Sequence, residues 1–240
     1  MTTNVLTLSY EASDSLMIKN IASYRDVDNF SASDMAGGGG LVDPFGGTGD
    51  PFTLITGIYD RDLRQVSEEF QLIGTTQRFD WVAGLFYSNV YFPEGGRHTG
   101  LTYAFGRMPR NLDGGLFPVA ADAPGFLEKT AYAAFGQMTL HLNDRLDATL
   151  GMRESRDELS FLDGDTGGRY DGALNHFDWT AILTYRPTDV ITTYGKLGTG
   201  YLSGGVSSGS HTRYRPEEVL QGEVGVKADL LDRQIGRAHV

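Results

Sequence analysis

The sequence predicts an all-β fold, an antiparallel up-and-down meander that forms part of a transmembrane β-barrel. Three observations support this prediction. Apolar and polar residues alternate with a period of two along most of the chain, and no convincing helical periodicity accompanies them. Short turns alternate with long loops, which places all short turns at one end of a meander. The predicted strands are also long, roughly 12–16 residues against the ~5–6 that are usual in globular proteins.

Nine segments carry the alternation and are predicted as strands. They cover residues 4–11, 14–28, 62–74, 76–92, 130–142, 145–160, 174–186, 189–203 and 215–230. Short turns are predicted at 12–14, 74–76, 143–144, 187–188 and 231–232, and long loops at 29–61, 93–129, 161–173 and 204–214. A tilted membrane-spanning strand needs ~9–11 residues in the hydrocarbon, so strands of this length can cross a bilayer and project beyond it.

The sixth and seventh predicted strands show the two faces most clearly. In the sixth, Leu146, Ala148, Leu150 and Met152 alternate with Asp147, Thr149, Gly151 and Arg153. In the seventh, Phe177, Trp179, Ala181, Leu183 and Tyr185 alternate with Asp178, Thr180, Ile182, Thr184 and Arg186. Lipid would accept the apolar set and an aqueous lumen the polar set.

The ninth predicted strand is equally regular, and the alternation ends after it. Its apolar set is Leu220, Val224, Val226, Ala228 and Leu230, and its polar set is Gln221, Glu223, Lys227 and Asp229. The last six residues, "IGRAHV" (235–240), correspond to the translation of a common sequencing-adapter run. We therefore expect residues 235–240 to be a non-native tail.

Composition excludes several classes of function. The formal net charge of −11 repels phosphate backbones, so nucleic acid is not an expected partner. The chain has no cysteine, which removes disulfide frameworks, cysteine-ligated zinc and thiol catalysis. No run of ~20 apolar residues is present, so no membrane helix is expected.

Two local motifs resemble known sites of chemistry. Residues 205–209 match the G-x-S-x-G nucleophile pattern and lie near His211. That pattern requires a strand, a sharp turn and a helix, whereas loop and strand are predicted here. Residues 163–168 hint at a calcium loop, but Leu174 stands where the glutamate ligand is needed. We expect no catalytic residue, no resident metal and no cofactor.

Four longer stretches resemble the barrel of TonB-dependent outer-membrane receptors. They are "QVSEEFQLIGTTQRFDWVAGLFYSN" (65–89), "TAYAAFGQMTLHLNDRLDATLGMRESRDE" (130–158), "YRPTDVITTYGKLGTGYLSGGV" (185–206) and "YRPEEVLQGEVGVKADLLD" (214–232). Residues 15–30 fit the same family more loosely. The series in order is more specific than any one motif, and it covers nearly the whole chain.

The resemblance implies a barrel of about 22 strands, a plug domain that gates it and a segment that contacts TonB. This chain has fewer than half of those strands and nothing that matches the plug. We therefore expect residues 1–234 to be part of a barrel domain whose plug domain is absent from the chain.

The implied activity is not enzymatic. It is uptake across the Gram-negative outer membrane of a scarce extracellular ligand, a ferric siderophore first of all, driven through the TonB complex. A passive outer-membrane channel or structural barrel is the alternative, and a soluble β-sandwich binding module or lipase-like enzyme is a third.

The long loop at 93–129 is the expected ligand-binding segment. It carries cations and rings that could hold an anionic iron chelate by charge-assisted hydrogen bonds and stacking. The candidate residues are Arg97, His98, Tyr103, Arg107 and Arg110. A solvated loop that packs on itself is the competing interpretation for each of them.

Overall fold

A computed structural model describes residues 1–34, 56–93, 100–103, 117–118, 125–164, 167–206 and 212–229. In these ranges the secondary structure is β-strand alone, and no helix is long and apolar enough to cross a membrane. The strands are β1 Thr2–Ser13, β2 Leu16–Asp34, β3 Thr56–Thr75, β4 Phe79–Pro93, β5 Gly100–Tyr103, β6 Phe117–Pro118, β7 Phe126–Asn143, β8 Leu146–Leu162, β9 Arg169–Thr188, β10 Ile191–Leu202, β11 Gly205–Val206, β12 Arg213–Tyr214 and β13 Glu217–Ala228.

The nine long strands form one antiparallel sheet in the order β1-β2-β3-β4-β7-β8-β9-β10-β13. Each therefore pairs with its neighbour along the chain once the short strands are set aside, as an up-and-down meander requires. β5 pairs with β3 and β6, and β11 and β12 form a separate hairpin. Within the described ranges β1 and β13 each pair with one strand only, so the sheet is open. The predicted fold class and all nine predicted strands are confirmed.

One face of the sheet, the apolar face, exposes large hydrophobic side chains. On β8, Leu150 and Met152 are 55% and 59% exposed, while Asp147 and Ser155 on the opposite, polar face are 8% and 4% exposed. This is the reverse of a soluble sheet, where one apolar face is covered by a core. The predicted apolar face of the sixth and seventh strands is confirmed at these positions and at Phe177, Leu183 and Tyr185, which are also exposed.

The apolar face is apolar only along the part of each strand that is nearer the short turns. On β9 the apolar stretch runs from Phe177 to Tyr185 and is followed, toward the long loop, by Asn175. On β8 it ends at Met152, beyond which Arg156 donates from Nε to Glu158 at 2.8 Å. We call the stretch with apolar side chains the apolar band. About nine residues of tilted strand match the hydrocarbon thickness.

Glu68 lies at the border of this band, on the apolar face. It stands opposite Tyr87 in the register, and Asn20 donates its side-chain amide to the Glu68 carboxylate. The Tyr87 ring packs against Tyr132 with the ring centroids 5.4 Å apart. Aromatic rings with a polar tip favour such a border, where one end is apolar and the other wet. The register therefore places Glu68 on the apolar face, at the border where its carboxylate can meet water.

Each of the four short turns that the structure describes is closed by a polar side chain that accepts from a backbone amide two or three residues on. The predicted turn at 231–232 lies outside the described residues. Ser13 Oγ accepts from Ser15 N at 3.3 Å, and Thr76 Oγ1 accepts from Phe79 N at 3.0 Å. Asn143 Oδ1 accepts from Arg145 N at 2.9 Å. Thr188 Oγ1 accepts from Ile191 N at 3.2 Å. Serine, threonine and asparagine favour turns because they make such bonds.

Candidate functional site: the polar face of the sheet

The polar face carries a series of side-chain clusters between the short turns and the long loops. The cluster nearest the short turns is centred on Asp147. His141 Nδ1 lies 2.9 Å from Asp147 Oδ1, and His141 Nε2 lies 3.1 Å from Asp80 Oδ2. Arg186 Nη2 donates to Asp147 Oδ2 at 2.7 Å. The cluster thus joins β4, β7, β8 and β9 through charged groups, because alternation places all four side chains on one face.

The next cluster holds one guanidinium against two aromatic rings. Arg153 Cζ lies 5.3 Å from the ring centroid of Phe86 and 5.9 Å from that of Phe135. Its Nε donates to Ser155 Oγ at 3.1 Å. The Phe135 ring leans across Gly84, where any side chain would collide with it. The two rings attract the Arg153 guanidinium through their quadrupoles and so hold a cation on the polar face.

A similar arrangement occurs on the last two long strands. Tyr194 Oη donates to Glu223 Oε1 at 2.5 Å, and Lys227 Nζ lies 5.3 Å from the centre of the Tyr194 ring. Gly225 leaves the space that this ring occupies. The alternation of the sequence places Arg153, Glu223 and Lys227 on the polar face. In the structure all three have partners within the wall.

A third cluster begins at the border of the apolar band, where Asp178 and His176 flank Phe177, and extends beyond it. Asp178 accepts from Thr199 Oγ1 at 3.1 Å and lies 3.2 Å from His176 Nε2. Tyr201 Oη donates to Asp157 Oδ2 at 2.6 Å, and its ring centroid is 4.1 Å from that of His176. These contacts connect β8, β9 and β10, so the wall remains cross-linked above the band.

Tyr201 is a weaker acid than an ordinary tyrosine because of this position. Burial raises its pKa, and the hydrogen bond to the Asp157 carboxylate raises it further, to about 12. Both causes disfavour the phenolate, since it would be poorly hydrated and would face a second negative charge. The group lies level with Arg156 and Glu158, outside the apolar band.

We expect the Tyr201 hydroxyl to titrate at about pH 12 rather than near 10. Because the folded-state pKa is raised, the contribution to stability is complete below pH ~10 and is lost as the pH rises from ~10 to ~12. The measurement is the phenolate absorbance of the parent minus that of Tyr201→Phe across this range. A difference signal that titrates near pH 10 would show that the contact with Asp157 is absent.

A cavity of about 320 Å³ opens beyond the third cluster. Its floor is formed by the polar face of β4, β7, β8 and β9, and its cover by the β11–β12 hairpin with the residues around it. Arg213 of the hairpin donates from Nη2 to the backbone oxygen of Asp171 at 3.3 Å, and its guanidinium lies 5.7 Å from the Tyr170 ring centroid. These contacts hold the hairpin over the wall.

The predicted ligand-binding residues fall almost entirely outside the described residues. That is so for Arg97, His98, Arg107 and Arg110. Tyr103 ends β5, and only its backbone is described. Lys129, Tyr170, Arg213 and Tyr214, which line the cavity, were not singled out from the sequence. Alternation places Lys129 on the polar face, but nothing in the sequence indicates that the β11–β12 hairpin lies over it.

The described residues contain no group of histidine, cysteine, aspartate or glutamate arranged to hold a metal ion. Gly205 and Val206 of the G-x-S-x-G pattern form β11, while Ser207 and His211 lie outside the described residues. In the suggested calcium loop, Gly167 donates its amide to the Asp163 backbone oxygen at 2.8 Å and adopts a φ of 68°. That contact closes a hairpin turn, and the positive φ suits glycine.

Comparison with known proteins agrees with this architecture. No curated protein sequence matches the chain. The chain is similar in structure to the ferric yersiniabactin uptake receptor FyuA from Yersinia pestis, with 18% identity, a TM-score of 0.71 and coverage of 94% of this chain and 33% of FyuA. The siderophore receptor PiuA from Acinetobacter baumannii is 17% identical with a TM-score of 0.64, and the match covers 96% of this chain and 38% of PiuA. The copper transporter OprC is 16% identical with a TM-score of 0.67, and the match covers 93% of this chain and 35% of OprC.

At these identities the likeness establishes the fold, and the chain spans about a third of the length of each of these proteins. The family model described as "TonB dependent receptor-like, beta-barrel" matches residues 1–238. This match takes in every described strand of the two-faced, open meander. The chain therefore belongs to the TonB-dependent receptor β-barrel family.

Proposed function

We propose that the chain forms part of the barrel wall of an outer-membrane receptor that takes up a ferric siderophore. The observation that carries the proposal is the contrast between the two faces of the sheet. Exposed leucine, methionine, valine and phenylalanine side chains on one face require lipid. The charged and hydrogen-bonded clusters on the other face suit a water-filled lumen.

Family and fold are those of transport receptors rather than enzymes. The proposed work of this chain is accordingly to enclose a path and to present groups to a ligand, without covalent chemistry. We propose that the path is gated by a plug domain and that the TonB complex acts on that plug. The clusters at Asp147 and Arg153 would then form the surface that the plug contacts.

A ferric siderophore is the favoured cargo because two of the similar structures are named as a ferric yersiniabactin receptor and a siderophore receptor. A third is named as a copper transporter, so a different metal cargo is the alternative that a test must separate. Cations held on the polar face suit an anionic chelate in either case.

The proposal is tested with a complete receptor that contains residues 1–234, produced in a Gram-negative host deprived of its own ferric-siderophore receptors. Uptake of radiolabelled iron is measured as ferric catecholate, hydroxamate and citrate complexes, with and without an uncoupler. We expect uptake of at least one chelate and its loss on uncoupling. Uptake that persists on uncoupling would indicate a passive channel, and no iron uptake would contradict the assigned cargo.

The loop at 93–129 remains a proposed part of the ligand site. Reversing two of its cations, Arg107→Glu with Arg110→Glu, is expected to weaken the binding of an anionic ferric chelate by about tenfold or more. The loss should be larger at low ionic strength, where screening is weakest. The measurement is a binding titration of the complete receptor at two salt concentrations. Equal affinity of parent and variant at both would remove this loop from the site.

A further inference from the structure

We infer that the cavity beneath the β11–β12 hairpin binds an acidic group carried on a flat apolar body, such as an aromatic carboxylate. The inference rests on the proposed function, because it names the kind of ligand group that the polar face of the wall would take. It concerns described residues only and is independent of the loop at 93–129.

The first step is the charge inside the cavity. Lys129 points to the polar face from β7, opposite Leu159 of β8, and Arg213 enters from the hairpin. Within the described part of the chain, Lys129 makes no hydrogen bond or ion pair. Arg213 donates to a backbone oxygen and not to a carboxylate. Two cations therefore meet at one cavity, and no carboxylate among the described residues is hydrogen-bonded to either. The charge of Arg213 reaches the Asp171 carboxylate only through space.

The second step concerns the acidic residues around the cavity. The strand register places Glu158 and Asp171 on the apolar face, where Arg156 and Arg169 donate to them at 2.8 and 3.0 Å. Asp157 shares the polar face with Lys129, but Tyr201 already donates to it. Of the charged side chains that line the cavity from the polar face and the hairpin, two are cations, Lys129 and Arg213, and one is a carboxylate, Asp157.

The third step is the remainder of the lining, which is apolar and aromatic. Val90, Leu159 and Leu174 contribute aliphatic side chains, and Tyr170 and Tyr214 contribute rings. The Tyr170 ring is itself supported by Phe161, with ring centroids 5.9 Å apart. Rings and aliphatic groups favour a flat apolar body by burial and stacking, while the two cations favour its acidic end. A volume of about 320 Å³ accommodates a ligand or ligand group of one or two rings.

The experiment uses 2-naphthoate as the probe and 2-naphthamide, which has the same shape without the charge, as its control. Binding to the complete receptor in detergent is followed by calorimetric titration. We expect naphthoate to bind and naphthamide to bind at least tenfold more weakly, and we expect Lys129→Gln and Arg213→Gln each to weaken naphthoate binding by about five- to tenfold. Lys196→Gln, which removes a cation elsewhere on the polar face, should leave the affinity unchanged.

Equal binding of the two probes, or no binding of naphthoate, would overturn the inference. Unchanged naphthoate affinity in the Lys129→Gln and Arg213→Gln double variant would also overturn it. The outcome of the iron-uptake experiment is independent of the outcome of the naphthoate titration. Uptake without naphthoate binding removes this inference alone, and naphthoate binding without uptake removes the proposed transport alone.

Discussion

Replacing Leu150 with arginine is expected to prevent the complete receptor from assembling in a membrane, whereas Thr149→Arg should leave assembly largely intact. Leu150 lies on the apolar face, opposite Met138 on one neighbouring strand and Ala181 on the other. Its side chain is more than half exposed, so in a bilayer it would face lipid. An arginine near the middle of the hydrocarbon costs about 2–4 kcal/mol on the lipid face of a barrel.

Thr149 is the matched control because it is the next residue on the same strand and points to the opposite face. Its hydroxyl shares a hydrogen bond of 2.9 Å with Thr139, the loss of which costs about 1 kcal/mol. The arginine side chain itself would reach water. Folding into lipid vesicles is followed by heat-dependent gel mobility and urea titration. If both variants fold with the same midpoint, the assignment of the two faces is wrong.

Adding one methyl group at Gly84 is the second substitution with a large expected effect. A Cβ built there would lie 2.7 Å from the backbone oxygen of Phe70 and would also overlap the Phe135 ring. The ring could rotate away, but the backbone oxygen belongs to a paired strand and cannot. Gly84→Ala is therefore expected to lower the free energy of unfolding by about 1–3 kcal/mol, as overpacking does. It would also displace Phe135 from Arg153.

Gly136→Ala provides the comparison for Gly84→Ala. The nearest atom to a Cβ at this position is the backbone oxygen of Val82 at 3.6 Å, an ordinary contact. The substitution should change the midpoint of urea unfolding in lipid very little. Equal destabilisation by the two substitutions would show that the cost does not come from the contacts of Gly84.

The nine long strands could be predicted because a wall between lipid and water imposes a period of two on its residues. Where the wall leaves the lipid, both faces meet water and that constraint ends. This explains why the predicted strands at 62–74 and 174–186 are shorter than β3, Thr56–Thr75, and β9, Arg169–Thr188. The additional residues of β3 and β9 continue the backbone pairing of the sheet, but apolar and polar residues do not alternate there.

The candidate site was less predictable than the fold. The sequence drew attention to a loop rich in cations and rings, whereas the described cavity depends on a hairpin of two-residue strands, β11 and β12. Strands of two residues are too short to show an alternation of apolar and polar side chains. The contact of Arg213 with the Asp171 backbone joins residues that are far apart along the chain. Local pattern holds no information on such a contact. The same holds for Gly84 and Gly225, which leave the space that the Phe135 and Tyr194 rings occupy.

The abrupt change along the apolar face of β9 offers a depth scale for spectroscopy. Asn175 and Phe177 are two residues apart and lie on the same face of β9. Phe177 belongs to the apolar band, whereas Asn175 lies beyond it, toward the long loop. They are separated by roughly 7 Å along the strand. The chain has no cysteine, so single cysteines along this face can carry spin labels without background labelling. Relaxation of such labels by dissolved oxygen or by a water-soluble nickel chelate would report the position of the lipid surface to within one step of the strand.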